Sequence, residues 1–424
     1  NKNNWKINIL SKRIIAWISN SKLTYEDGEE LYKNKFNLII QKQINHLINE
    51  IEKSKWIDDK MTSCAAIILA GLSLNEKEKY LNFGLSILKK IINSSFDNQS
   101  FPKSRSIRQL IFYLKYFVLI REWLKESQNG IPEYIDETIY NLGNAYSLLS
   151  QGLKQSALFN GNHDTDYEDF DNYLLKFGYK FKNENQEIGG YSIQKNKKIT
   201  LVMDVGQSPE KKFSKDYQLG ALSFEIISNQ NKIICNSGYF QNHKHKLNGL
   251  SKATANHSTL IIDNSSSCKL QKVGSKSSVV EQSLKILNKS SIFEKDYWNI
   301  IASHNGYLKK YGVIHERKIE FYPEQNKFIG TDSIIKKKNY KKVNFEIRFH
   351  LLPTSKVMKT QDKKSIFIEV DKEGWKFTTE NYEINLETGL YFGKKNTFVE
   401  NQNIFISGMT QNENQNIKWV LNKI

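Results

Sequence analysis

Cysteine is scarce in this chain: Cys64, Cys235 and Cys268 are the three in 424 residues. They are too few and too scattered for a disulfide framework or a thiolate metal cluster. Buried free thiols are the expected state, with a Cys235–Cys268 bridge left open for an oxidising compartment. Proline is also rare, at five residues, while 39% of the chain is apolar and 12% aromatic, which excludes a disordered or low-complexity protein. Long hydrophobic runs are missing. The most apolar segment, Leu110 to Leu124, carries Lys115, Arg121 and Glu122 and is too short and too charged to span a bilayer. Zinc-finger spacing, an RRM aromatic signature and a helix-turn-helix signal are all lacking, so nucleic acid is not an expected partner. No signal peptide is visible. The chain opens on Asn1 without Met, so an N-terminal piece is expected to precede it, and export is not legible. Acidic residues are in deficit, 45 against 62 Lys and Arg, for a formal charge of +17. Such an excess attracts polyanions, though Lys, Asn and Ile are abundant throughout and part of it is compositional bias.

What is present falls into two halves. From Lys6 to about Lys180 the apolar period is helical. Ile7, Ile14, Trp17 and Ile18 mark one amphipathic segment, and Phe36, Ile39, Ile40, Ile44, Leu47 and Ile51 line one face of another. Met61 to Leu74 is rich in small residues (Cys64, Ala65, Ala66, Ala70, Gly71), as where helices pack closely. Tyr80 to Ile92, Ile107 to Leu124 and Ile131 to Leu149 read as further helices, punctuated by Asn, Gly, Ser and Pro turns. Paired helices of this length stack into bundles or solenoids. From Gly189 onward short alternating runs dominate, such as Ile199 to Asp204, Val343 to Leu351 and Trp375 to Thr379, which argue for a large antiparallel β-sandwich. The boundary is expected in Lys180 to Gly190, giving a helical domain over 1–185 and a β domain over 186–424. Within the latter, Ala221 to Ile227 and Lys232 to Cys235 read as strands either side of a Ser228-Asn-Gln-Asn231 hairpin, with Thr259 to Asp263 a third strand. Gln218, Asn236, Tyr239 and His257 sit where these strands meet their loops, where binding groups usually lie.

Several ordered segments resemble the heparinase II/III-like family of polysaccharide lyases. They are Gly220-Ala-Leu-Ser-Phe-Glu225, Asn236-Ser-Gly238, Thr254-Ala-Asn-His-Ser-Thr259, Ser303-His-Asn-Gly-Tyr307, Gly312-Val-Ile-His-Glu-Arg317 and Arg348-Phe-His-Leu-Leu-Pro353. Upstream, Ala157-Leu-Phe-Asn-Gly161 and Arg13-Ile-Ile-Ala-Trp17 are similar too, so the likeness covers most of the chain. It implies an incomplete (α/α) toroid followed by a β-sandwich, a carbon–oxygen lyase activity on polysaccharides such as glycosaminoglycans, and a bacterial periplasm or cell envelope as the compartment. That compartment is favoured by the resemblance, with a cytoplasmic location left open by the absence of a visible leader. The family holds a metal through a histidine, the acid of an Asp-Pro-Gly turn and a later histidine. Here the counterparts are Gln218, Asn236 and His257, Asp216 stands for another histidine and Gly220 for an acid. One imidazole between two amides is a poor zinc site, so neither metal nor other cofactor is expected.

A polysaccharide lyase removes the C5 proton of a uronic acid and expels the oxygen at C4. The carboxylate must be neutralised, a base supplied and the leaving oxygen protonated. Phe159-Asn-Gly-Asn-His-Asp164 offers Asn160 and Asn162 as amides and His163 as base; the competing reading is a left-handed helix cap with a solvated histidine. Arg105 and Arg108, at i and i+3, suit a carboxylate or sulfate, or else form a solvated helix start. Asp216 and Gln218 are further substrate-binding candidates by the resemblance. Tyr239 reads as proton donor or packing residue, and His257 as catalytic acid or structural residue. His243 and His245, in Asn242-His-Lys-His-Lys246, read as a mobile basic loop rather than a metal site. The candidate catalytic set is therefore Asn162, His163, Tyr239 and His257, acting on an acidic polysaccharide. The alternative is a catalytically weakened, polysaccharide-binding or envelope-associated protein of the same fold.

Overall fold

The computed structural model describes residues 2–74, 77–151, 153, 155–164, 167–182, 185–273, 277–337 and 340–424. Helices precede strands: α1 (Ile7–Ser19), α2 (Glu30–Ile51), α3 (Ile57–Ser73), α4 (Lys77–Ser95), α5 (Ile107–Glu126), α6 (Glu133–Leu149) and α7 (Glu168–Lys176). The change to strand falls between Lys176 and Glu187. By packing, the chain divides into one compact unit of residues 1–102 and 109–144 and another of 103–108 and 145–424.

In the first unit α3 is the central helix and packs against α1, α2 and α4. Small residues on both helices explain the closeness of α3 and α4: a Cβ on Gly71 of α3 would lie 2.6 Å from the Leu81 nitrogen, and one on Gly84 of α4 2.5 Å from Ile68. On α2, Ile40, Ile44, Leu47 and Ile51 are buried as the period requires, whereas Ile39 lies outside that face and is exposed.

In the second unit β1 (Glu187–Ile188), β2 (Tyr191–Lys195), β3 (Ile199–Asp204), β4 (Phe224–Ser228) and β5 (Asn231–Ile234) form an antiparallel five-stranded sheet in chain order. β4 and β5 make the expected hairpin, with Asn229 and Gln230 both at positive φ (43° and 73°), a turn whose twist matches that of the strands. Ala221 to Ser223 do not join β4. Leu222 is left-handed (φ 57°), its N–H donating to the Asp204 carbonyl, so the chain turns there instead of extending. An eight-stranded antiparallel sheet runs in the order Lys356–Lys359, Ser365–Val370, Glu373–Thr379, Gln415–Lys423, Lys327–Lys336, Val313–Tyr322, Trp298–His304, Ile286–Phe293. A four-stranded one joins Ile384–Tyr391, Val399–Met409, Asn344–His350 and Leu260–Ile262. The three share one apolar core in which Phe224 stacks on Trp419 and Phe349 packs edge-on to the same indole. The fold is thus a helical, toroid-type region followed by a large antiparallel β-sandwich, as expected. The segment read as a basic loop, Asn242 to Lys246, runs directly into a short helix, Lys246–Lys252.

Gly330 pairs with Trp419 across two strands, and a Cβ there would come within 2.0 Å of the indole. Gly330→Ala is expected to cost about 1–3 kcal/mol by overpacking. A lowered urea midpoint with an unchanged slope would show it; an unshifted midpoint would refute it.

Candidate active site

All nine sequence candidates lie in the second unit, so one set of loops positions them. The framework beneath them starts at Glu225, the last residue of the Leu-Ser-Phe-Glu segment. Its Oε1 accepts N–H groups from Leu158 (3.2 Å) and Asn236 (2.9 Å), joining three of the singled-out segments at one carboxylate. Lys232, fully buried, sits 3.3 Å from Glu225 Oε2 and 3.4 Å from Asp164, and donates to the Ser156 carbonyl. Asp164 is held from the far side by the Tyr391 hydroxyl. His163 is therefore anchored through its neighbour.

Gln218 is the second anchor. Its Oε1 accepts the Gly161 N–H (3.1 Å), and its Nε2 donates to the carbonyls of Gly238 (2.9 Å) and Ser251 (2.8 Å). Asn160 Nδ2 donates to the Tyr191 hydroxyl (2.6 Å) and its Oδ1 accepts the Gln218 N–H. Asn160 is left-handed (φ 44°) and buried, but it lies in a turn between α6 and α7 and not at a helix end, so the helix-cap reading does not hold. Asn162, fully buried, donates to the Ala157 carbonyl (2.7 Å). Arg105 is buried as well. Its five donors are used by Gly189, Gly190, Gly206 and Gln207 carbonyls and by Asp204, at 2.6 Å. These four residues, expected to face substrate, spend their polar groups on the protein and act as braces.

His257 is buried too. Its Nδ1 donates to the Ala253 carbonyl (3.0 Å), Nε2 has no hydrogen-bond partner among the described residues, and the ring fills the space a side chain at Gly220 would need. Burial pushes its pKa down to about 4, against smaller contributions from two backbone contacts. A neutral, enclosed imidazole cannot meet a polymer in solvent. Nor does the set Gln218, Asn236 and His257 fit a metal. The Gln218 and Asn236 oxygens already accept N–H groups, from Gly161 and from Ser258 (2.9 Å), leaving one imidazole as donor. Among the described residues no group of three or more His, Cys, Asp or Glu is placed to hold a metal ion.

The groups that do reach the surface gather around Asp216. Its Oδ1 accepts the Tyr239 hydroxyl (3.0 Å) and its Oδ2 accepts Arg108 Nη2 (3.1 Å). Burial opposes ionisation of Asp216, but Arg108, with Lys215, His243 and Lys252 around it, outweighs burial and holds the carboxyl below its usual range. Tyr239, its ring buried and its hydroxyl on that carboxylate, is pushed well above the ordinary phenol value, which makes it a poor proton donor, against the expectation from sequence. Half-buried His163 accepts a hydrogen bond at Nδ1 from Gln241 Nε2 (2.9 Å), which orients the ring. Burial, Arg108 and Lys395 hold its pKa below the ordinary 6.5, so it is neutral at neutral pH. His243, from the segment read as a basic loop, places Nε2 3.5 Å from Asp216 Oδ1. Sequence reasoning missed it and Gln241; the signal available was proximity to Tyr239 along the chain. The arrangement combines a half-exposed guanidinium, an oriented neutral imidazole and a carboxylate that collects them.

A family model described as heparinase II/III-like, C-terminal, matches residues 185–420. Among solved structures, a heparinase III gene product is similar at a TM-score of 0.80 and 14% identity, over 99% of this chain and 67% of that one. The heparan sulfate lyase HepC from Pedobacter heparinus is similar at 0.77 and 15%, over 99% of this chain and 68% of that one. Another heparinase III structure gives 0.77 and 14%, over 99% and 69%. No curated protein matches the chain.

Two outcomes follow from the buried groups. Arg105→Met leaves Asp204 buried and unpaired, and is expected to cost about 3–5 kcal/mol of stability; a variant as stable as the parent in urea would contradict the brace. His257 and His350, held at about 4 and about 3 by burial, take up protons on unfolding before they do so in the fold. The unfolded chain binds more protons between the ordinary 6.5 and those values, so stability falls as pH drops through that window. Each contributes up to about 1.4 kcal/mol per pH unit. Urea midpoints at pH 7 and pH 4.5 measure it, and His257→Gln is expected to flatten the slope.

Proposed function

The chain belongs to the heparinase II/III-like family, and on that premise we propose that it cleaves acidic, uronic-acid-containing polysaccharide by β-elimination. One observation carries the proposal: Arg108 and His163 share one half-exposed spot, the first half-exposed and the second neutral and oriented by Gln241. The C5 proton of a uronate is weakly acidic because it lies α to a carboxylate. Arg108 beside that carboxylate stabilises the charge that develops as the proton leaves. His163 takes the proton at Nε2 once the Gln241 amide turns its oxygen to Nδ1–H, which leaves the Nε2 lone pair open, and a neutral imidazole with a near-neutral reference pKa is suited to this. The C4–O bond then breaks and a C4=C5 double bond remains. Glycosaminoglycans are the first polymers to try, and the cell envelope or periplasm is the compartment proposed.

A second reading, binding without turnover, is favoured by a specific observation. The carboxamides of Asn160, Asn162 and Gln218 are all committed inside the protein. None of the three is placed to share the developing charge with Arg108.

The ultraviolet absorbance of unsaturated uronate separates the readings, measured over a panel of uronic-acid polymers alongside direct binding of their oligosaccharides. Elimination supports the first reading; binding with no absorbance change supports the second. For the eliminase, His163→Ala is expected to lower turnover by about 10²-fold while binding survives. Arg108→Gln is expected to weaken binding, and most at low salt, where charge attraction is least screened. If both variants bind and react like the parent, the site lies elsewhere.

A further inference from the structure

We infer that His243 is the second proton-transfer residue of this site, delivering a proton to the departing glycosidic oxygen with Asp216 as its carboxylate partner; the inference rests on the eliminase reading above. An elimination that leaves an alkoxide at C4 needs that oxygen protonated as the bond breaks, and Tyr239 is unsuited to it. The Tyr239 hydroxyl already donates to Asp216, and its proton is held more tightly than in a free phenol.

His243 is placed differently. Its side chain is 23% exposed, its Nε2 lies 3.5 Å from Asp216 Oδ1, and its ring meets Tyr239 edge-on at 6.4 Å. Its Nδ1 is buried with no hydrogen-bond partner among the described residues. The segment does not depend on it. Asn248 Nδ2 donates to the Phe240 carbonyl (2.6 Å), Ser251 Oγ accepts the Phe240 N–H (3.1 Å), and His245 caps the helix that follows by accepting the Leu247 N–H (3.2 Å). A partly exposed imidazole with Nε2 beside an ionised carboxylate is available for proton exchange at that nitrogen. A carboxylate beside Nε2 stabilises the imidazolium that such a residue must become.

The step balances without an oxidant. His163 takes the C5 proton, the C5–H electron pair forms the C4=C5 bond, and the C4–O pair stays on oxygen. That oxygen takes the proton from Nε2 of the His243 imidazolium, the nitrogen beside Asp216, because Nδ1 is buried, leaving His243 neutral and His163 charged until solvent resets both. The groups that face His243 are Asp216, Tyr239, Lys215, Lys252 and Asn248. Burial and the two lysines hold its pKa below the ordinary value, Asp216 and Asn248 acting in the opposite sense. The charged form is thus lost as pH rises, and turnover is expected on the acid side of neutrality.

The experiment compares parent and His243→Gln on a uronate oligosaccharide and on an analogue carrying 4-nitrophenolate at C4, a leaving group that needs no acid. On the oligosaccharide His243→Gln is expected to lose about 10²-fold in kcat with KM within a few fold, and the alkaline limb of its kcat–pH profile is expected to vanish. On the analogue it is expected to match the parent. Asp216→Asn should move the parent's alkaline limb to lower pH. The inference is overturned if His243→Gln keeps the parent kcat on the oligosaccharide, or loses rate equally on both substrates. If the parent eliminates neither substrate, the eliminase reading falls and takes this inference with it. Elimination by the parent with an unimpaired His243→Gln overturns this inference alone.

Discussion

The guanidinium of Arg317 has no contact with solvent, and the way its charge is satisfied ties the site loops to the sheets. Nε and Nη2 grip both oxygens of Asp332, at 2.8 and 3.0 Å, while Nη1 donates to the carbonyls of Leu222 (2.9 Å) and Ser258 (2.6 Å). Asp332 also accepts Trp419 Nε1 (3.0 Å), and its Oδ1 lies 2.7 Å from His315 Nε2. Burying two ions costs several kcal/mol each, so such a pair persists only where nearly every donor and lone pair is used. Here they are. Burial opposes ionisation of Asp332, yet Arg317 first and His315 next hold it at about 2. Leu222 lies in the turn that leads into β4, and Ser258 follows His257. Losing Arg317 would therefore release both site loops at once and strand a carboxylate in the core.

From that pair the order runs outward through buried polar contacts. Ser258 Oγ donates to the Cys235 carbonyl (2.6 Å) and accepts the His350 N–H (2.9 Å), fastening β5 to the four-stranded sheet. Glu225 and Lys232 then fasten the 157–164 segment to β4 and β5, and Gln218 closes the frame over Gly161. Among the described residues, the polar side chains partly exposed at its edge include Arg108, His163, Asp216, Gln241 and His243. A catalytic group benefits when its supports have one arrangement, because misplacement of about 1 Å can cost on the order of 10²-fold in rate. The buried amides serve that end. They are close to the chemistry without taking part in it.

The fold was legible because its signals are local. The helical period, the Ser228–Asn231 hairpin and the small residues of α3 each follow from neighbours in sequence. The family segments were legible because several short patterns recur in a fixed order. The roles within them were not, for a physical reason. An amide that braces a loop and one that binds a carboxylate have the same composition and the same flanking turn. What separates them is burial, and Asn160, Asn162, Gln218, His257 and Arg105 are all buried. Arg105 and Arg108 make the point sharply: three residues apart, one is consumed by Asp204 and four carbonyls, the other stands half-exposed at Asp216. His243 failed in the opposite direction. Its neighbours Asn242, Lys244 and Lys246 gave it the look of a solvated loop, and only the fold brings Asp216 beside it.

The electrostatics of the exposed edge also bear on the missing metal ligands. In an elimination α to a carboxylate, the work to be done is to hold negative charge as it grows. A divalent cation does this strongly, but any fixed positive charge in a partly desolvated place does it to a degree. Around Asp216 the cations Arg108, Lys215 and Lys252 outnumber the one carboxylate, and their joint effect is visible in the depressed acidity range of Asp216 itself. A substrate carboxylate entering here meets the same field that keeps Asp216 ionised. It must also compete with Asp216 for Arg108. A chain bearing many acidic groups competes well, because its charges are tethered and re-present themselves at high local concentration; a neutral polysaccharide has nothing with which to compete. On the proposed function, the carboxylate that gathers the site thereby also sets what can enter it.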